Sequence, residues 1–168
     1  PRALDVFAKK KTIRLFETHH IFTPVEMAAR HEIMLEEYVK KVQIEARLMG
    51  YLASNSILPP AIQYQNSLIE NVKGLKEIGL GAESYRSQAE IIQKISEHIN
   101  AVSDNVEKMI EERKKANEIG DMHQRAFVYC DKVKPYFEII RYHADKLELI
   151  VDDRLWSLPK YREMLFLR

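Results

Sequence analysis

Cysteine occurs once in this chain of 168 residues, at Cys130, which excludes an internal disulfide framework and a zinc site built from several thiolates. Glycine and proline are scarce as well, with five and six residues. A many-stranded β fold would need turn signals about every 8–12 residues, and so few turn formers cannot supply them. Charge of one sign is also missing. A formal net charge of +1 predicts no long-range attraction to nucleic acid or to an anionic membrane. No apolar run approaches the roughly 18 residues of a membrane span, and the N-terminus carries no secretory pattern. Nor does the chain contain a phosphate-cradling Gly-rich loop, a G-x-S-x-G elbow or an H-E-x-x-H pair. Hydrophobic residues at 46% and charged residues at 30% suit a water-exposed helical protein large enough to bury a real core.

What is present is helical periodicity. The chain is organised around Thr23–Ile57. Thr23 and Glu26 stand at capping-box spacing with Pro24 at the first helical position, and Phe22 before the cap can staple onto Met27. Two apolar stripes follow. One runs through Ala28, Leu35, Tyr38, Val42, Met49 and Leu52, the other through Leu35, Val39, Val42, Ala46, Met49 and Ala53. So wide an apolar face needs neighbours on more than one side. Pro59-Pro60 predicts a break near Leu58, because a proline pushes its predecessor out of helical dihedrals. A second helix covers about 60–78, with Ala61, Ile62, Leu68, Ile69, Val72 and Leu75 on its stripe, and Gly79-Leu80-Gly81 marks its turn.

A third helix, about 84–118, carries Ile92, Ile95, Ile99, Val102, Val106 and Met109 in 3-4 alternation. Gly120 ends it and Asp121 caps the next. The fourth, about 122–153, holds Ala126, Cys130, Val133, Phe137, Ile140, Ala144, Leu147 and Val151 in phase across Pro135. That pattern predicts one helix kinked at the proline, with Cys130 a buried, inert thiol. Short helices flank these rods: residues 2–18 at one end, and a tail with Trp156, Leu158, Tyr161, Leu165 and Phe166 folding back at the other. The expected fold is all-α, an antiparallel bundle of about four long helices. Residues 1–22 form a lead-in and 23–168 the bundle. The start at Pro1, without an initiator Met, suggests a processed chain or a segment of a longer one.

Candidate chemistry is thin. Glu17-Thr18-His19-His20 holds the chain's single Glu-x-x-His, whereas carboxylate-bridged di-iron bundles use two. His31, Glu32 and Glu36 share a surface with Arg30 and Lys40 in reach, and His143 and Asp145 have no nucleophile beside them. Lys9-Lys10-Lys11 is a short basic run followed by mixed charge. These residues compose no catalytic, cofactor-binding or metal site. Read from residues alone, the stripes suit a stand-alone helical-bundle interaction module.

Longer stretches carry a resemblance. ETHHIFTPVEMAARHEIMLEEYVKKVQIEARLM, then NSILPPAIQYQNSLIENVKGLKEIG, then EIIRYHADKLELIVDDRLWSLPKYREMLF resemble the C-terminal region of type III glutamine synthetases. RALDVF and the helix from Thr23 also look like the closing helices of ordinary glutamine synthetases. The resemblance implies a cytoplasmic ligase that joins ammonia to glutamate with ATP and Mg or Mn, assembled as stacked hexameric rings. In that family the ligands for glutamate, ATP and metal lie upstream, on the catalytic domain. No catalytic residue is therefore carried over to these positions. The expectation is a structural and assembly segment, inactive alone, without a cofactor of its own. Its expected partners are the catalytic domain of its own chain and further copies, with neither nucleic acid nor membrane.

Overall fold

The computed structural model of the chain describes residues 1–165, and among these every regular element is helical. After a 3-10 turn at Leu4–Val6 come α1 (Lys10–Thr18), α2 (Pro24–Leu52), α3 (Leu58–Glu77) and α4 (Arg86–Glu118). Then follow α5 (Met122–Val128), α6 (Pro135–Ile150) and α7 (Tyr161–Leu165). The chain divides into two compact units. One holds Pro1–Leu48 with Lys108–Phe137, the other Met49–Glu107 with the residues from Glu138 onward.

The helix ends follow local chemistry. At the start of α2 the Thr23 N–H donates to Glu26 Oε2 at 2.7 Å, while the Glu26 N–H donates back to Thr23 Oγ1 at 3.3 Å. This is the capping box expected from the spacing. Asp121 Oδ1 likewise accepts the Gln124 N–H at 2.7 Å and opens α5. Gly79, at φ 84°, closes α3: its N–H reaches the Lys76 carbonyl while the Leu80 N–H reaches Leu75. That paired closure requires a left-handed residue, which glycine supplies without steric cost. His20 performs the same task after α1 at φ 52°, with its N–H on Glu17 and the Ile21 N–H on Phe16.

Prolines correct two sequence expectations. No break occurs at Leu58, whose φ −65° and ψ −45° are helical. The chain instead widens into a π-turn at Ala53–Ile57, ending with the Leu58 N–H on the Ala53 carbonyl five residues back. Pro60 has no N–H for the Ser56 carbonyl four residues back, and the Ser157 hydroxyl donates to that carbonyl at 3.1 Å. The expected kinked helix of 122–153 is likewise two helices. A π-turn at Tyr129–Val133 separates α5 from α6, closing with Lys134 N–H to Tyr129 O at 2.9 Å just before Pro135. In both places one extra residue in the turn takes up the missing bond and ring clash.

In the first unit the buried side chains are Met27, Leu35, Val39, Val42, Ala46, Met109, Ala116, Ala126, Tyr129 and Val133. In the second they are Ala53, Ile57, Pro60, Ala61, Ile95, Val102, Val106, Ile140, Leu147, Val151 and Trp156. Each large one contributes roughly 1.5–3 kcal/mol relative to exposure. The second stripe read on α2 is therefore its core face. Ala28 of the first stripe is exposed, and Met27 is buried in its place. On α3 only Pro60 and Ala61 are buried; Leu68, Ile69, Val72 and Leu75 are half-buried and Ile62 is exposed. Trp156 is buried as the tail expectation requires, while Leu165 is exposed. Phe166 and the Tyr161 side chain lie outside what the structure describes.

Candidate functional site

The densest polar convergence in the first unit fastens residues 2–5 to α2, to α5 and to the π-turn that follows it. Asp5 Oδ1 stands 3.0 Å from His123 Nε2 and 3.3 Å from His31 Nε2. One carboxylate oxygen thus bridges imidazoles from α5 and α2. Arg2 makes a fork to Asp131, with Nη1 to Oδ1 at 3.0 Å and Nη2 to Oδ2 at 2.9 Å. Its guanidinium also lies 5.2 Å from the centre of the Phe127 ring, and that ring meets His123 at 4.7 Å. Partial burial alone would raise the Asp5 carboxyl, but the bonds and charges of His123 and His31 outweigh it and hold it below its ordinary value. The hydrogen bond from Arg2 does the same for Asp131.

The arrangement joins the first residues to three other elements. Both Asp131 oxygens are taken by Arg2, and the Asp5 oxygen named above is shared by two rings. Among the described residues no three His, Cys, Asp or Glu are grouped so as to hold a metal ion. Bidentate guanidinium–carboxylate pairs fix orientation as well as distance, so the convergence is a latch that sets where the first residues lie.

The candidate residues singled out from the sequence fall in different places. His31 enters the latch; its neighbour Glu32 is exposed, and Glu36 pairs with Lys40 at 2.7 Å along the helix. Arg30 stacks on Phe22 at 4.2 Å. Glu17, His19 and His20 are exposed, as is the run Lys9-Lys10-Lys11. Cys130 is half-buried and its Sγ accepts from Arg2 Nη1 at 3.7 Å. This corrects the expectation of a buried thiol: the π-turn rotates Tyr129 into the core position and moves Cys130 to its margin. Burial first, and the adjacent Cys130 second, push the Tyr38 hydroxyl far above the ordinary phenol range. In the second unit His143 Nδ1 meets His98 Nδ1 at 2.9 Å, and Asp145 faces Arg141 at 3.8 Å. Burial, then the facing His143, lowers the His98 pKa.

Sequence reasoning missed Arg2, Asp5, His123 and Asp131. Their partners lie 129, 26, 118 and 129 residues away. Each alone is an ordinary surface residue, and no local spacing marks it. The nearest signal was His31, a histidine on a helix with an otherwise crowded core face.

Similarity to known proteins gives a second, independent line. Residues 1–76 match the family described as glutamine synthetase C-terminal domain. A Bacteroides fragilis protein named glutamine synthetase is 42% identical over 170 residues, covering 99% of this chain and 23% of its own. A type-3 glutamine synthetase of Dictyostelium discoideum is 31% identical over 100% of this chain and 23% of its own. A glutamine synthetase of Butyrivibrio fibrisolvens is 25% identical over 99% and 24%. The chain spans about a quarter of the length of these relatives.

Proposed function

This chain belongs to the glutamine synthetase family as a C-terminal domain, and on that premise we propose that its work is structural, in a type III enzyme. The parent protein would ligate ammonia to glutamate with ATP and Mg or Mn in the cytoplasm. The catalytic groups would lie on the remainder of the chain. Residues 1–22 would be the lead-in from the catalytic region, seated by the latch, and 23–168 an antiparallel bundle contacting that region and neighbouring subunits in stacked hexameric rings.

One observation carries the assembly role. The outer face of α2 keeps Val25, Ile33, Ile44 and Leu48 more than half exposed while its other face is core. A helix apolar on both faces suits cover on both. Similarity along the whole of this chain to proteins named glutamine synthetase favours the rest of such an enzyme as that cover. The stand-alone module is the rival, and an upstream reading frame encoding a catalytic domain would decide against it.

The test is removal of residues 23–168, which carry that face, from the parent enzyme. Ring assembly, read by analytical ultracentrifugation, should fall to smaller species, with synthetase activity reduced alongside. Unchanged sedimentation together with unchanged kinetics would overturn the assembly role.

A further inference from the structure

Three arginines in the first unit act on one buried hydroxyl and make no ion pair among the described residues. Tyr129, fully buried in the π-turn, donates its hydroxyl to Asn117 Oδ1 at 2.7 Å. Gln43 of α2 donates Nε2 to the same oxygen at 3.5 Å. This contact fixes the helix registers on either side of it. Arg47 lies four residues beyond Gln43 on α2, and Arg113 four before Asn117 on α4. Each therefore shares the face of its contacting amide, one turn away. Arg125 reaches in from α5, donating Nε to the Ile119 carbonyl at 2.8 Å.

Burial is the largest influence on the Tyr129 hydroxyl and raises its pKa, while Arg113, Arg125 and Arg47 each act to lower it. All three cations thus sit within electrostatic reach of one buried oxygen.

None of the three pairs with a carboxylate among the described residues. Arg125 is satisfied by a neutral carbonyl, not a carboxylate. Arg47 and Arg113 have no hydrogen bond and no ion pair among the described residues. Arg113 is half-buried, and a guanidinium partly withdrawn from water is normally paired. Glu112, beside Arg113 in sequence, is engaged with Lys115 at 2.7 Å, and Asp121 with the Gln124 N–H. Arg113 and Arg125 are half-buried and Arg47 is exposed; like charges on neighbouring turns repel one another, and a multivalent anion would reverse the sign of that interaction.

We propose that Arg47, Arg113 and Arg125 form a binding site for a phosphate-type oxyanion. The guanidinium fork matches tetrahedral oxyanions bidentately. Arg47 and Arg113 supply free forks from two helices, and Arg125 adds its remaining N–H groups while it caps α4. The Asn117 amide nitrogen and the Gln43 side chain at the rim add neutral donors. Such a site ties α2, α4 and α5 together when occupied. It is distinct from the latch at Asp5 and does not depend on the assembly role.

The test is calorimetric titration of the chain with inorganic phosphate, against sodium chloride at matched ionic strength. Phosphate should bind where chloride does not. Arg47→Gln and Arg113→Gln should each weaken it about tenfold, the loss of one charge-assisted contact. Arg113→Lys, which keeps the charge but not the fork, should also weaken it. Removing a repelling charge should leave folding intact, and circular dichroism of each variant checks this. A glycerol phosphate arm separates the ligand's source: tighter binding than phosphate identifies a phosphate ester, equal or weaker binding the free ion. Equal heats for phosphate and chloride, or phosphate binding that survives both glutamine variants, would overturn the site.

Discussion

His20 and Gly79 do the same work with unequal side chains. Both take positive φ to close a helix, and for an L-residue with a Cβ that conformation costs about 1–2 kcal/mol. His20→Gly should therefore stabilise the chain by about 0.5–1 kcal/mol in urea melts, the gain being offset partly by the freer unfolded backbone. Gly79→Ala should cost about 1 kcal/mol, although a Cβ there meets nothing within 4 Å; the penalty lies wholly in the backbone. Asp152 makes a third residue-scale case. Arg154 donates Nη2 to its Oδ2 at 2.8 Å and its backbone N–H to Oδ1 at 2.8 Å. Those hydrogen bonds pull the carboxyl from 3.8 to about 2. The folded pKa is depressed, so the contribution is complete above the ordinary value and is lost as pH falls towards about 2. Carboxyl-carbon NMR should show Asp152 titrating near that lower limit, and Arg154→Ala should move the midpoint up towards 3.8. A midpoint unmoved by that substitution would mean that the Arg154 side chain is not the cause.

Among the elements, α4 and α6 meet through His98 and His143 with their Nδ1 atoms 2.9 Å apart. One ring must donate to the other, and two protonated rings cannot. Because the folded His98 pKa is lowered, the unfolded chain takes up the proton more readily, and stability falls as pH drops below about 6.5. His143→Gln should flatten that fall between about pH 7 and 5, read as the melting temperature against pH. An equal slope in both proteins would remove the pair from the account. The same two helices show what periodicity can and cannot reveal. Ile95, Val102, Val106 and Met109 were legible because a helix repeats its core contact every three or four residues, and all four are buried. The π-turns were not legible. A proline announces a lost bond, but whether the backbone breaks, kinks or widens depends on what packs there, here Tyr129 in one turn and Ala53 with Ile57 in the other. The capping residues Thr23 and Asp121 were readable from a few neighbours. The latch and the arginine cluster were not, since they join residues brought together only by the fold.

At the scale of the whole molecule, substitutions on the exposed face of α2 would separate folding from the proposed assembly. Val25, Ala29 and Ile33 follow four-residue steps, and Ile44 and Leu48 resume the row three turns on. Ile44 and Leu48 are 65% and 54% exposed, so neither gains much from the chain's own core. Replacing both with aspartate should change the chain's own stability by no more than about 0.5 kcal/mol per site. In the proposed parent enzyme the same pair should be severe, because a covered carboxylate without a partner must be desolvated. Native mass spectrometry should then show smaller assemblies at equal protein concentration. Ile95→Asp makes the opposite case, since Ile95 is fully buried within its own unit; it should unfold the chain before assembly can be asked about. Lys114, exposed on α4, should tolerate alanine in both measurements. If the double aspartate variant formed rings like the unsubstituted enzyme, this face would not be an interface, and the half-buried stripe of α3 at Leu68, Val72 and Leu75 would become the next apolar surface to substitute.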